Sequence, residues 1–275
     1  GMTMGQWGTH FERTETWWPM VGPWVAYQSR CQYLLAAGHP ANRLLVYAGD
    51  AVPNLGTPEV VPADTWDVCG MHDLEELSVV GGNIVPKNAP GVSYVALVVP
   101  TNRLITAASR AHLARLRSAG ARLLKSGEEL PFAPAFTYSG TNEKVRWICR
   151  RHDDGTRVFF VAYPSTNAAV VRCSFRTVDA VPQLWDAESG ERFRPYDWKS
   201  CGDHIEMTLP FKPCGSWFVV FSPKDDGAAL PVLEDPAKRV PRLTEEVGGD
   251  WELSFPRGWN CPDKVTLPKL VSWTE

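Results

Sequence analysis

A chain of 275 residues with 44% hydrophobic and 21% charged residues has the composition of an ordinary soluble protein, long enough for two compact domains with their own cores. A net charge of -3, a pI near 6.1 and the lack of any Lys/Arg cluster exclude a nucleic-acid or anionic-membrane binder, and apolar runs of about ten residues are too short to span a bilayer. The seven Cys are scattered without a C-x-x-C pair, which predicts neither a zinc site nor a disulfide framework but buried free thiols; the 12 Trp suit either sugar stacking or large cores.

Residues 4–20 are dense in aromatic, His and charged groups and follow neither a helical nor a strand period, as expected of a stretch that lines a site or packs under a neighbouring domain. From Pro23 to Gly38 the pattern is helical, with Pro near the start, apolar residues at Trp24, Tyr27, Cys31, Leu34 and Leu35, and Gly at the end. This helix is expected to cover the strand that follows. Leu44 to Ala48 is apolar without alternation and ends at Gly49-Asp50, the pattern of a buried strand in a helix-covered parallel sheet.

Thr65 to Cys69 reads as a short strand, and Ser78 to Val85 as a hairpin around Gly81-Gly82. The runs Gly91–Pro100, Thr106–Gly120 and Ala121–Leu124 then give a right-handed strand, helix, strand unit, so the first half of the chain is expected to be α/β. After a Pro-rich linker at 131–141 the period changes to two. Segments from Arg146 to Phe221, including a tight turn at Asp153-Asp154-Gly155 and an acidic turn at 186–191, predict an antiparallel β-sandwich. Residues 223–241 form a second polar linker, and Gly249–Phe255 opens a new strand with some 25 residues left, too few for a domain. Both ends are therefore expected to be cut from something longer. Gly1 before Met2 has the form of a tag-cleavage scar, and no signal peptide is visible.

Several segments carry a family likeness: Gly8-Thr9-His10-Phe11-Glu12-Arg13-Thr14-Glu15-Thr16-Trp17-Trp18, Tyr27-Gln28-Ser29-Arg30-Cys31-Gln32-Tyr33-Leu34-Leu35, Leu45–Asn54, Gln183-Leu184-Trp185-Asp186-Ala187-Glu188-Ser189-Gly190-Glu191, Trp251-Glu252-Leu253 and Leu270–Glu275. In order along nearly the whole chain, they resemble the large bacterial glycoside hydrolases of the α-L-rhamnosidase type, family 106. The resemblance implies that residues 1–22 are the end of a catalytic TIM-type barrel and 23–135 a flavodoxin- or class I glutamine amidotransferase-like α/β domain. It further implies a β-sandwich over 142–223 and, over 224–275, a linker and the start of a galactose-binding-like jelly roll. It also implies a carbohydrate as the partner, a plant or bacterial glycan; the family's members are often periplasmic or secreted, which leaves the location of this chain open.

Inverting glycoside hydrolysis needs two carboxyl groups roughly 6.5–9.5 Å apart. Glu12 and Glu15 are the carboxylates of the segment resembling the barrel's end, but the resemblance sets the acid and base on earlier barrel strands, so no catalytic residue is expected in this chain. Substrate contact in an intact protein is the role expected of His10, Glu12, Arg13 and Trp17, against the alternative that they pack on the next domain. No metal site and no cofactor are expected. An amidotransferase-type Cys nucleophile fails its test, because Pro100-Thr101-Asn102-Arg103 after the central strand holds no Cys, and Cys69 beside His72 reads as a core thiol. Gly49 is a single glycine where a phosphate loop needs several, and Asp50 reads as a cap. Trp185-Asp186 and Trp217 are either a sugar platform or core.

Three functions remain open at this level: a non-catalytic accessory portion of a glycoside hydrolase acting on rhamnose-containing glycans, an active glycosidase alone or completed by another chain, and a free-standing carbohydrate-binding module. Apolar surface around Trp7, Trp17 and Trp18 is expected to favour homo-oligomers.

Overall fold

The computed structural model describes residues 13, 15–52, 65–223, 227–238, 248–258, 260–270 and 272. The α-helices are α1 (Gly22–Ala36), α2 (Met71–Glu76) and α3 (Ala107–Ser118). The strands up to residue 125 are β1 (His39–Pro40), β2 (Leu44–Tyr47), β3 (Trp66–Cys69), β4 (Leu77–Val80), β5 (Asn83–Pro86), β6 (Ala96–Val99) and β7 (Leu123–Lys125). They are followed by β8 (Phe136–Ser139), β9 (Arg146–Arg151), β10 (Arg157–Ala162), β11 (Ala169–Phe175), β12 (Val181–Trp185), β13 (Arg192–Phe193), β14 (Trp198–Cys201), β15 (His204–Phe211) and β16 (Ser216–Ser222). Last come β17 (Trp251–Ser254) and β18 (Lys264–Leu267). The chain divides into a unit over Gly1–Glu234 and a smaller one over Asp235–Glu275.

The larger unit is built round a β-sandwich, as the period-two segments predict. Along β15 every second residue is buried, Ile205, Met207, Leu209 and Phe211 facing inward. Its four-stranded sheet runs β14-β15-β11-β8 and faces a six-stranded sheet, β1-β9-β10-β16-β12-β13. Between them Phe159, Phe175 and Phe221 lie at or below 1% exposure, with ring centroids 5.1 to 5.8 Å apart. Each such side chain contributes about 1.5–3 kcal/mol on burial.

The outer face of the six-stranded sheet is covered by α1. Tyr27, Cys31, Leu34 and Leu35 pack on Val158, Phe160, Trp185, Ala187, Phe218 and Val220. The linkage explains why: Gly38, at φ +65°, turns the chain straight into β1, and His39 and Pro40 pair with Arg151 and Arg150 of β9. Arg150 fastens the joint, its guanidinium donating to the carbonyls of Ala37 at 3.0 Å and Gly38 at 2.7 Å. A helix tied this closely to the sandwich cannot reach the parallel sheet it was expected to cover. Trp24, one of its apolar residues, is 53% exposed.

The expected flavodoxin- or amidotransferase-like domain is therefore corrected. The chain is mostly β-strand with three α-helices among the described residues, and only the pairings β2–β3, β2–β6 and β6–β7 are parallel. These four short strands make a small sheet in the order β3-β2-β6-β7. Leu45, Tyr47 and Leu97 face Leu74 of α2, Leu113 and Leu116 of α3 and Leu77 and Ile84 of the β4–β5 hairpin. Leu44, Val46, Ala96 and Val98 on the other face meet Trp66 and Leu124 of the neighbouring strands and Leu130 and Phe132, so an irregular segment stands where a doubly wound fold would place a helix. A continuous apolar run shows that both faces of a strand are buried; it does not say by what.

In the smaller unit β17 and β18 form an antiparallel hairpin, Trp251 opposite Leu267, with Lys264 2.7 Å from Glu252.

Candidate functional site

Of the residues expected to touch sugar, His10 and Glu12 lie outside the described residues, as does Trp7. Arg13 is exposed, and Trp17 is half-buried with its ring centroid 6.4 Å from that of the half-buried Trp18. Glu15, 4% exposed, is buried, and among the described residues neither of its carboxylate oxygens has a hydrogen-bond partner. Taking a carboxylate out of water without a donor is costly.

A cleft of ≈ 560 Å³ lies where the β1–β2 connection meets the sandwich. Arg43, Arg151, Arg157, Arg176 and Asp203 line it. The arginines hold the walls together: Arg43 donates to the Ala133 carbonyl at 2.7 Å and sits 4.0 Å over the Phe132 ring, Arg151 donates to Gly91 at 2.6 Å and Arg157 to Arg176 at 2.9 Å. Asp203 is the carboxylate among the lining residues. A hydrogen bond from His204 and the charge of Arg176, 2.8 Å away, hold it below the usual carboxylate range. Such a group stays ionised, and among the described lining residues no second carboxyl stands beside it, whereas glycoside hydrolysis needs a pair.

A second, shallower cleft of ≈ 280 Å³ is lined by Tyr33, Trp185, Asp186, Arg192 and Phe218 among others. Trp185 is half-buried, donates to Gln183 at 2.9 Å and lies 5.4 Å beneath the Arg192 guanidinium. Here one residue is both core and cleft wall, which a strand pattern alone cannot resolve. Trp217 is half-buried and donates to the Pro210 carbonyl at 2.7 Å, a structural role.

The other candidates fall to structural roles. Asp50 accepts from the Thr106 amide at 2.6 Å and the Ser109 hydroxyl at 2.9 Å, tying the end of β2 to the start of α3. Burial works to raise its pKa, but these bonds and the charge of Arg110 outweigh it and leave it below the usual range. Cys69 is buried, and desolvation together with the Asp73 charge pushes its thiol up to about 12, far from a nucleophile. Cys31, Cys149 and Cys173 are likewise buried, but Cys201 is only half-buried and Cys214 and Cys261 are exposed. Among the described residues no helix is long and apolar enough to cross a membrane.

With fold and clefts described, comparison with known proteins places this chain beside glycoside hydrolases. Residues 1–128 match the family model described as alpha-L-rhamnosidase. The fold of 96% of the chain superimposes on 30% of a solved rhamnosidase from Novosphingobium sp. PP1Y, with a TM-score of 0.74 at 20% identity. A protein of Formosa agariphila named "Putative beta-glucuronidase" is 23% identical over 74% of this chain and 21% of its own length. The chain thus spans less than a third of either relative, and the likeness supports a rhamnosidase-like glycoside hydrolase as its kin.

Proposed function

We propose that this chain is a non-catalytic, supporting portion of a rhamnosidase-like glycoside hydrolase acting on rhamnose-containing glycans. The observation that carries the reading is the extent of the likeness: nearly all of this chain has the fold of a stretch amounting to 30% of a rhamnosidase. In this reading residues 1–22 close a catalytic barrel and 224–275 begin a galactose-binding-like domain. His10, Glu12, Arg13 and Trp17 contact sugar only when the barrel is whole. The unpartnered Glu15 carboxylate fits a segment whose donors lie in a neighbouring part of the parent protein.

The test is to incubate this chain with an aryl α-L-rhamnoside. No release of the phenol is expected; turnover that scales with protein concentration and survives repurification overturns the proposal. In the parent enzyme, Arg13→Ala and Trp17→Ala should lower kcat/KM while leaving the fold intact.

A second reading is favoured by the shallow cleft, where the rings of Trp185 and Tyr33 stand beside Asp186 and Arg192. That is the chemistry of a sugar-binding surface. Binding of rhamnose oligosaccharides without turnover, lost in Trp185→Ala, would favour it over the supporting role.

A further inference from the structure

On the solvent face of the four-stranded sheet, β14 and β15 bring Cys201, His204 and Glu206 together. Ile205 and Met207 of β15 point into the core, so His204 and Glu206 stand side by side on the outside, and Cys201 is the cross-strand partner of His204. One ligand atom from each of the three, a thiol sulfur, an imidazole nitrogen and a carboxylate oxygen, lies within 4.8 Å of the others. No C-x-x-C or His pair announces this group in the sequence. The hairpin creates it, through Cys201-Gly202-Asp203-His204-Ile205-Glu206.

The surrounding groups orient two of these three, His204 and Glu206, in the manner of a metal site. Nδ1 of His204 is 3.1 Å from Asp203 Oδ1, and the other Asp203 oxygen is held by Arg176 at 2.8 Å. A carboxylate on Nδ1 fixes the ring and the tautomer, leaving the Nε2 lone pair free, as in the carboxylate–histidine–zinc arrangement. Glu206 is oriented in the same way. Lys199 at 3.1 Å and Arg172 at 3.5 Å take Oε2, while Oε1 faces His204 Nε2 at 3.5 Å. His204 and Glu206 therefore each have one atom held from outside, and their other atoms, Nε2 and Oε1, face each other beside Cys201.

We propose that Cys201, His204 and Glu206 bind a borderline-soft divalent cation of the zinc class, through Sγ, Nε2 and Oε1, with water in the fourth position. Tetrahedral zinc with ordinary bond lengths separates its ligands by about 3.3–3.8 Å. The Nε2 to Oε1 distance of 3.5 Å already satisfies this, and the thiol needs to move inward by about 1.5 Å at most. The mixed thiolate and imidazole donors select against calcium and magnesium, which prefer all-oxygen shells. Binding displaces the thiol proton to solvent. The ion would clamp β14, an edge strand, to its neighbour.

The test uses the intact, tag-free chain, reduced and freed of metal, in a Cys214→Ser/Cys261→Ser background that removes the exposed thiols. Titration with cobalt(II) is expected to give a thiolate-to-metal charge-transfer band and tetrahedral ligand-field bands that saturate at one equivalent and disappear on adding zinc. Cys201→Ser should abolish the charge-transfer band. His204→Asn should weaken binding beyond detection, and Asp203→Asn, which removes only the outer support, by about 10- to 100-fold. Circular dichroism confirms that each variant folds. The absence of cobalt bands in the folded background protein, or bands that persist in Cys201→Ser, would overturn the assignment.

Discussion

Arg30 of α1 donates to the carbonyl oxygen of Glu188 at 2.8 Å, across 158 positions of sequence, and to that of Ala187 at 2.9 Å. Both partners belong to the acidic turn after β12, closed by the Gly190 amide on the Asp186 carbonyl at 2.8 Å. Two segments that share a family likeness on either side of the chain are thus one structural joint. Their shared task is to dock the helix on the sandwich.

Arg30→Ala should lower stability by about 1.5 kcal/mol, the low end for hydrogen bonds to a charged donor because the site is partly solvated. Urea unfolding followed by tryptophan fluorescence measures it. An unchanged midpoint would mean that α1 is held by its apolar face alone.

Gly190 sits at φ +79°, and a Cβ there would stand 2.9 Å from Arg30 Nε. Gly190→Ala is therefore expected to cost about 1–2 kcal/mol, from the left-handed backbone and from the displaced guanidinium together. Part of that cost should vanish in the Arg30→Ala background. Strict additivity in the double-mutant cycle would contradict the contact.

Asp50 carries a depressed pKa in the folded chain. Its contribution is therefore present above the ordinary carboxylate pKa and is lost as pH falls through the lower folded value. Asp50→Ala should destabilise the protein near neutrality by about 1–3 kcal/mol, with the difference from wild type shrinking in acid. A gap that stays constant down to the acid transition would show that the loss is steric.

Substitution of the buried Glu15 is expected to change stability in the opposite direction. Glu15→Gln should raise the stability of this chain, since an amide costs less to bury unpartnered than a carboxylate does. A loss of stability in the chain alone would show that the carboxylate has a partner there.

Thiol reactivity checks the packing directly. In the native protein Cys214 and Cys261 should react rapidly with an aromatic disulfide and Cys201 more slowly, while Cys31, Cys69, Cys149 and Cys173 wait for unfolding. Fast labelling of Cys69 or Cys173, whose thiol pKa is raised by burial, would show that its core opens in the native state.

Local order was determined by the sequence alone. Alternation along β15 and the unbroken apolar run of β2 prescribe strands with one and two buried faces, Gly81-Gly82 prescribes a tight hairpin, and the cap at Asp50 follows from its place after a strand. These are short-range consequences of side-chain period and backbone freedom. Which surfaces meet was decided only by the tertiary structure. The apolar stripe of α1 fits a parallel sheet or a sandwich equally well, and the two-residue strand β1, pairing with β9 more than a hundred positions later, commits it to the sandwich. By the same route Cys201, His204 and Glu206, unremarked as a pattern, become neighbours through strand pairing, because a hairpin brings side chains together by register rather than by spacing.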